Sequence, residues 1–181
     1  MAFLTVARAR GVAAAAIVGL CLGRVIDAQP AAPIEANVKA VYLFNFVKYV
    51  SWPAERNNPE VRICVTANDE FFALLQSAVQ GEEVDGRPLR PVSLDGLDDA
   101  PTCQILYVGD SGTPDAKAWL TAVKGRQVLT VADGTLNDDT VIAFVRDDNR
   151  IRFDISRASA GRRGLTVSSK LLRLARQVKD R

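Results

Sequence analysis

Residues 104–131, QILYVGDSGTPDAKAWLTAVKGRQVLTV, contain the pattern that decides the fold. Gln104 to Val108 is a short apolar run suited to a buried strand, and a turn with two glycines follows it. Pro114 to Val123 has the start signal and the spacing of a helix, and Val128 to Val131 predicts another strand. This order is typical of a parallel βαβ unit.

The chain before this unit repeats the same alternation. Val61 to Thr66 predicts a strand, and Asn68 is a suitable N-cap for a helix from Glu70 to Val79. Pro88 to Leu94 predicts a strand towards a sheet edge, because its two prolines cannot donate ladder hydrogen bonds. An earlier helix from Ile34 to Val50 is indicated by apolar residues at helical spacing, with Val38, Tyr42 and Phe46 on one core-facing stripe.

The C-terminal part no longer alternates single strands with helices. Val141 to Val145 and Ile151 to Ile155 flank a polar turn and predict a β-hairpin. A terminal helix is indicated from Ser169 to Val178, with Leu171, Leu172 and Ala175 on its apolar side. The predicted fold is a three-layer α/β sandwich with a mixed, mainly parallel sheet and an antiparallel C-terminal hairpin at one edge.

Residues 1–28 read as a cleaved signal peptide, with Arg8 and Arg10 before a 13-residue apolar run. A permanent membrane anchor is the weaker interpretation, since about 20 apolar residues are needed to span a bilayer. Lipid attachment at Cys21 is the other alternative, but Leu20 is bulky for that cleavage signal. Residues 29–181 are then expected to form a single domain.

The composition argues against a nucleic-acid partner. Cleavage after residue 28 removes three arginines and one aspartate, which leaves 20 basic and 20 acidic residues. A nucleic-acid-binding domain is normally basic, so this balance gives no general attraction for a phosphate backbone.

Cys64 and Cys103 are the two cysteines beyond residue 28. Exported proteins mature where disulfides form, so a bridge between them is expected, with two buried thiols as the alternative. Neither belongs to a CxxC motif, which argues against a zinc site or a redox-active dithiol.

The chain contains no histidine, which excludes the catalytic arrangements that depend on it. The aspartates cluster beside predicted turns, where their side chains bond nearby amides, so a carboxylate-driven hydrolase is not indicated. Gly109 to Gly112 lies between a strand and a helix and resembles an anion cradle, but a generic turn explains it better, since no nucleotide-binding motif is present. No cofactor, metal site or enzymatic activity is predicted.

Two features predict contact with a partner. Phe44 and Tyr49 fall off the core stripe of the first helix, and Trp52 follows at its exit. Lys170 and Arg173, followed by Arg176 and Lys179, form a basic stripe on the predicted terminal helix. An acidic partner surface or anionic lipid would suit this stripe, with a solvated face as the alternative.

Two blocks resemble the YfiR-like family of periplasmic proteins. The first is KAVYLFNFVKYVSWP (39–53), similar to the family's opening helix and its Trp-Pro exit. The second comprises IRFDI (151–155) and GLTVSSKLLRLA (164–175), similar to its closing strand and ending. Cys64 and Cys103 match the family's shared disulfide pair.

The resemblance implies a non-enzymatic periplasmic repressor, often dimeric, that binds the periplasmic part of an inner-membrane diguanylate cyclase. Lower cyclic-di-GMP synthesis and less biofilm would follow. The sequence departs from the family pattern at Asp138-Asp139-Thr140, where two glycines are usual, and at Ser156, where asparagine is usual. It also lacks the second cysteine pair of some members, which weakens the case for redox switching.

One alternative is a periplasmic sensory or solute-binding module that serves another membrane protein, such as a sensor kinase. Its ligand would lie at the C-terminal ends of the parallel strands, near Gly109 to Gly112. This hypothesis predicts a closed pocket with convergent polar groups, whereas the repressor hypothesis predicts an exposed apolar patch.

Overall fold

A computed structural model describes residues 31–53, 58–66 and 68–180, with side chains from Ile34 onwards. The predicted signal peptide and Cys21 lie outside the described residues. Within them the helices are α1 (Ala31–Tyr49), α2 (Asp69–Val79), α3 (Pro114–Ala122), α4 (Arg157–Arg162) and α5 (Ser169–Leu174). A 3₁₀ helix, Leu97–Thr102, precedes the central βαβ unit.

The strands form one large sheet and one small sheet. They are β1 (Val50–Ser51), β2 (Val61–Thr66), β3 (Glu83–Val84), β4 (Arg87–Leu94), β5 (Ile105–Asp110), β6 (Leu129–Asp133), β7 (Ile142–Asp147), β8 (Arg150–Ser156), β9 (Thr166–Val167) and β10 (Gln177–Lys179). The eight-stranded sheet has the order β10, β8, β7, β6, β5, β2, β4, β3, and β1 pairs with β9.

The five inner strands from β4 to β7 run parallel, and β8 returns antiparallel to β7 as the predicted hairpin. Strand β4 is separated from the edge by the two-residue β3 alone. The predicted mixed, mainly parallel α/β sandwich is confirmed. Its C-terminal hairpin forms one end of the sheet, with the three-residue β10 added outside it.

The chain changes direction across the sheet at β2. It first passes through α2 to β4 on one side of β2, and then continues to β5 on the other side. Helices α2 and α3 consequently cover opposite faces of the sheet. A crevice forms where such a reversal occurs, at the C-terminal ends of the two strands involved.

Alternating residues of the strands supply two cores. Ile63 and Val65 of β2 face the main core, the cluster that includes the buried residues of α1, α2 and α5. Cys64 between them faces the minor core, the smaller cluster under α3 and the 3₁₀ helix. This period-two alternation is the expected consequence of a sheet covered on both faces.

Cys64 and Cys103 are joined by a disulfide in the minor core, with their Cα atoms 5.9 Å apart. The predicted bridge is therefore present. The bridge joins β2 to Cys103, which lies between the 3₁₀ helix and β5. It therefore fastens the connection that leads to β5, the neighbour of β2 in the sheet.

The core stripe predicted for α1 is partly wrong. Ala40, Leu43, Phe46 and Val47 are buried, whereas Val38 is 37% exposed. The helix carries apolar residues on more than one side, so periodicity alone did not identify the side that meets the sheet.

The predicted terminal helix is too long, and the four-residue basic stripe is wrong beyond Arg173. Helix α5 ends at Leu174, and Ala175 is extended. Arg176 donates its backbone N–H to the Phe153 oxygen and its guanidinium to buried Asp154, while Lys179 belongs to β10. Pairing with β8 therefore prevails over the local helical pattern.

Candidate functional site

A cleft of about 550 Å³ opens at the C-terminal ends of the parallel strands. Thr66 ends β2, Asp110 ends β5 and Asp133 ends β6, and all three line the cleft. Residues from the N-terminal half of α1 and the first turn of α2 form the opposite wall. The cleft thus lies at the reversal of strand order between β2 and β5, where open α/β sheets bind ligands.

Local sequence features shape the rim. Asn68 caps α2 by accepting a 2.9 Å hydrogen bond from the Phe71 N–H, which directs the first turn of this helix towards the cleft. The pairing of β5 with β6 shifts between Tyr107 and Asp110, where Gly109 adopts a φ of +67°. A side chain is disfavoured at that φ, so glycine allows β5 to bend and to place Asp110 at the rim.

A charged network crosses the cleft from α1 to the sheet. Lys39 Nζ lies 2.8 Å from Glu35 Oε1 and 2.9 Å from Asp133 Oδ2. The Tyr107 hydroxyl donates to the same Asp133 oxygen at 2.9 Å. Arg146 of β7 donates to Glu35 Oε2. These bonds hold the N-terminal half of α1 against the carboxyl ends of β5, β6 and β7.

The network shifts the pKa of three of its members. The hydrogen bond from Lys39 lowers the pKa of Glu35. Burial alone would lower the pKa of Lys39, but its bonds to Glu35 and Asp133 outweigh this effect and raise it. Burial, and then the negative charge of Asp133, raise the pKa of Tyr107. Lysine therefore stays protonated and tyrosine stays a neutral hydrogen-bond donor at neutral pH.

The turn from Gly109 to Gly112 is not an anion cradle. The Ser111 N–H donates to the Asp133 backbone oxygen, and the Gly112 N–H donates to Asp110 Oδ1 at 2.8 Å. The Thr113 N–H donates to the Asp110 backbone oxygen. Because these three backbone N–H groups already donate hydrogen bonds within the protein, the turn presents the Asp110 carboxylate to the cleft and not a set of free N–H donors.

A second surface lies on the outer side of α1. Ile34, Val38 and Val41 are 58%, 37% and 50% exposed, and we call these three residues the outer ridge. Their spacing of four and three residues places them on one face of the helix. A shallow groove of about 360 Å³ separates the ridge from the β7–β8 hairpin, where Arg146, Arg150 and Ile151 line it.

The structure brings the predicted partner-binding segments to one end of the molecule. The Ser168 N–H donates to the Tyr49 oxygen, and β1 pairs with β9, so the exit of α1 lies beside the start of α5. Phe44 and Tyr49 are half-buried, with Lys48 Nζ over the Phe44 ring, whereas Lys170 and Arg173 are exposed. Trp52 is buried in the main core. Their role in binding stays a prediction.

A profile of the YfiR/HmsC-like protein family matches residues 36–176. The chain belongs to the YfiR/HmsC-like family. Membership supports a general role as a periplasmic regulator, in agreement with the resemblance found in the sequence. No curated protein matches the chain significantly in sequence.

The fold has a counterpart among solved structures. The crystal structure of a conserved domain protein from Vibrio cholerae O1 biovar El Tor str. N16961 superposes with a TM-score of 0.53 at 13% sequence identity. The match covers 77% of the present chain and 60% of that chain. At this identity the likeness establishes a shared fold and nothing about activity.

The described residues contain neither a cluster of metal-binding side chains nor a membrane-spanning helix. They hold no group of three or more carboxylate or cysteine side chains placed to bind a metal ion. None of the helices among them has the length and apolarity needed to cross a membrane.

The residues that form the charged network were not predicted from the sequence: they are Glu35, Lys39, Asp133 and Arg146. Lys39 and Asp133 are 94 positions apart, and Glu35 and Arg146 are 111 positions apart. Asp133 carried one usable signal, because it comes shortly after the predicted strand Val128 to Val131 and directly before a glycine. The contribution of α1 to this end of the sheet had no local signal.

Proposed function

We propose that this protein is a periplasmic regulator that binds an inner-membrane diguanylate cyclase and represses it, lowering cyclic-di-GMP and biofilm formation. Family membership supports the regulatory role, and the disulfide suits an exported protein. The observation that carries the proposal is the outer ridge of α1, because a regulator without catalytic groups acts through a surface that it buries against its partner.

The outer ridge has apolar surface that is not buried on folding and can be buried against a partner. Ile34, Val38 and Val41 keep about half of their surface in water, although the opposite side of the same helix is fully buried. Burying the exposed part of each side chain contributes on the order of 1 kcal/mol. Arg150 on the neighbouring hairpin adds an exposed cation to the same surface.

Repression requires a preference for one state of the cyclase. A regulator that binds both states equally shifts nothing, however tightly it binds. The rigid attachment of α1 suits this task, because Lys39 and Arg146 fix the helix to the sheet and present the ridge in one orientation. The ridge then selects the inactive arrangement of the periplasmic part of the cyclase.

The test is capture of the cyclase from membranes of the source cell, together with cellular cyclic-di-GMP levels. Val38→Asp with Val41→Asp places two charges on the outer ridge, and we expect it to lose capture and to raise cyclic-di-GMP. Ala118→Asp with Thr121→Asp introduces the same charge on the exposed side of α3 and should behave as wild type. Equal repression by both double variants would contradict the proposal.

A separate variant is needed for Phe44 and Tyr49, the contact residues predicted from the sequence on α1. Phe44→Asp with Tyr49→Asp alters the exit of α1 and leaves the outer ridge intact. Loss of capture with this variant alone, in a protein that unfolds cooperatively, would move the contact to the end formed with α5. Recovery of a sensor kinase instead of a cyclase would identify the other class of membrane partner. The implied homodimer is checked by the mass of the protein in solution.

A further inference from the structure

The cleft at the ends of β2, β5 and β6 is not used by the proposed contact through the outer ridge. Its volume of about 550 Å³ lies in the range of small-molecule sites, about 300–1,000 Å³. It also lies at the reversal of strand order, where this class of sheet binds ligands. Both its size and its place in the fold therefore indicate a binding site.

The charges of the cleft indicate the sign of the ligand. Its lining carries four carboxylates, Glu35, Glu70, Asp110 and Asp133, against the two cations Lys39 and Arg146. Both cations are already engaged by Glu35. An anion would have to compete with Glu35 for both cations and would face the remaining carboxylates.

The carboxylates retain unused acceptor capacity. Glu70 makes no ion pair with any residue that the structure describes, and the exposed Asp110 carboxylate accepts, among these residues, only from the Gly112 N–H. Asp133 Oδ1 is shielded from solvent and has no hydrogen-bond donor among the described residues, although Oδ2 has two. A buried acceptor without a donor is costly, so a donor supplied by a ligand would be favoured.

The apolar part of the cleft is aromatic. The rings of Phe71 and Tyr107 lie 4.7 Å apart between centroids, and both residues line the cleft beside Asp133, although only 5% and 8% of their surfaces are exposed. The face of an aromatic ring attracts an ammonium or guanidinium group, and its surface accommodates an alkyl chain. Carboxylates next to aromatic rings therefore suit a cation that also has an apolar body.

We propose that this cleft binds a small organic cation with a primary amine or guanidinium group, held by Glu70, Asp110 and Asp133, with its apolar body beside Phe71 and Tyr107. The site stands independently of the regulatory function. Glu35 and Arg146 border both the cleft and the groove beside the outer ridge, so an occupied cleft is placed to influence that surface.

Calorimetric titration with three four-carbon probes tests the charge preference. 1,4-Diaminobutane is the cation, 1,4-butanediol its neutral counterpart and succinate its anionic counterpart. We expect saturable binding of the diamine at one site per chain, with no binding of the diol or succinate. Absence of diamine binding, or tighter binding of succinate, would overturn the proposal.

A pair of matched double variants tests the location. Glu70→Gln with Asp110→Asn removes two charges from the rim and keeps the Asp110 Oδ1 acceptor for its turn. Loss of two charge-assisted hydrogen bonds should weaken diamine binding by at least about tenfold. Glu82→Gln with Glu83→Gln removes two charges beyond the other end of α2 and should leave affinity unchanged.

Equal affinity in the two double variants would place the diamine outside the cleft and refute the assignment. Cooperative thermal unfolding of both variants confirms that they fold. Because the titration uses the purified chain without a cyclase, its failure leaves the regulatory proposal intact. Conversely, a ridge variant that still binds the diamine but no longer captures the cyclase would show that the cleft and the outer ridge act independently.

Discussion

The two faces of the sheet are stabilised in different ways. The main core is closed by α1, α2 and α5 and contains the fully buried rings of Phe46, Phe144 and Phe153. The minor core, under α3 and the 3₁₀ helix, has no buried aromatic ring among the described residues and contains the disulfide. A large apolar area stabilises one face, and a covalent link supplements a small area on the other.

Helix α1 shows the same contrast within a single element. Its inner side supplies part of the main core, whereas its outer ridge stays exposed. Apolar residues on the two sides look alike in the sequence, but only the inner side contributes to folding. The difference separates residues kept for stability from residues available for binding.

The largest effect is expected for Phe46→Ala in the main core. The Phe46 ring lies 5.8 Å from that of Phe144 and 5.2 Å from that of Phe153. Its removal leaves a cavity in the main core and should lower the free energy of unfolding by about 3–5 kcal/mol in urea denaturation. Val38→Ala on the outer ridge is the control, with an expected change within about 0.5 kcal/mol. A similar loss at both positions would mean that the ridge is buried.

Removal of the disulfide tests the minor core. The bridge closes a loop with a sequence separation of 39, for which the chain-entropy model gives roughly 3–4 kcal/mol. Cys64→Ala with Cys103→Ala should lower unfolding stability by about 2–4 kcal/mol, and addition of a reductant should affect the wild type but not this variant. An unchanged wild-type midpoint after reduction would show that apolar packing alone holds this face.

The N-caps of α2 and α3 provide a matched pair on opposite faces. Asn68 accepts from the Phe71 N–H at 2.9 Å, and Thr113 accepts from the Ala116 N–H at 3.1 Å. Asn68→Ala and Thr113→Ala should each cost about 1 kcal/mol in chemical denaturation. With the disulfide reduced, the Thr113→Ala protein should unfold first, because its face then lacks both supports. The reverse order would argue against the contrast between the cores.

The smallest expected effect concerns the pH response of the network beside the main core. Because Lys39 lowers the pKa of Glu35 in the folded state, ionised Glu35 stabilises the fold above its ordinary pKa of 4.5. This contribution is lost as pH falls through the lowered value. The wild type should exceed Glu35→Gln by less than about 1 kcal/mol at pH 7, and in thermal unfolding the difference should shrink as pH falls below 4.5 and disappear below the lowered pKa. A difference that grows on acidification would reverse the sign of the shift.

The predictable parts of the fold are those with local signals. Strands β2, β4, β5 and β6 and helices α2 and α3 were predicted because each has its own period, cap or turn, whereas β3 and the 3₁₀ helix were not predicted. The run from Ser169 to Val178 was misread because its second half pairs with β8, and Arg176 finds its partner, Asp154, 22 positions away. Local helix propensity does not decide the structure here, because the buried Asp154 carboxylate requires a cation and Arg176 supplies it.

The candidate site was predicted only in outline. The C-terminal ends of the parallel strands were named as the place for a ligand, and Asp110 lies there as part of the turn considered. Glu35, Lys39 and Arg146 were not identified, since they come from α1 and β7. Phe44, Tyr49, Lys170 and Arg173 were chosen by helical spacing, which cannot show that their segments meet through β1 and β9.

Periodicity, spacing and local motifs were enough to predict the fold class, the order of the βα units, the disulfide pair and the family. The folded structure was needed to show which side of α1 is exposed, where α5 ends and which charges meet in the cleft. Those features depend on contacts between residues far apart in the chain. Such contacts are selected by packing and burial, which no local pattern encodes.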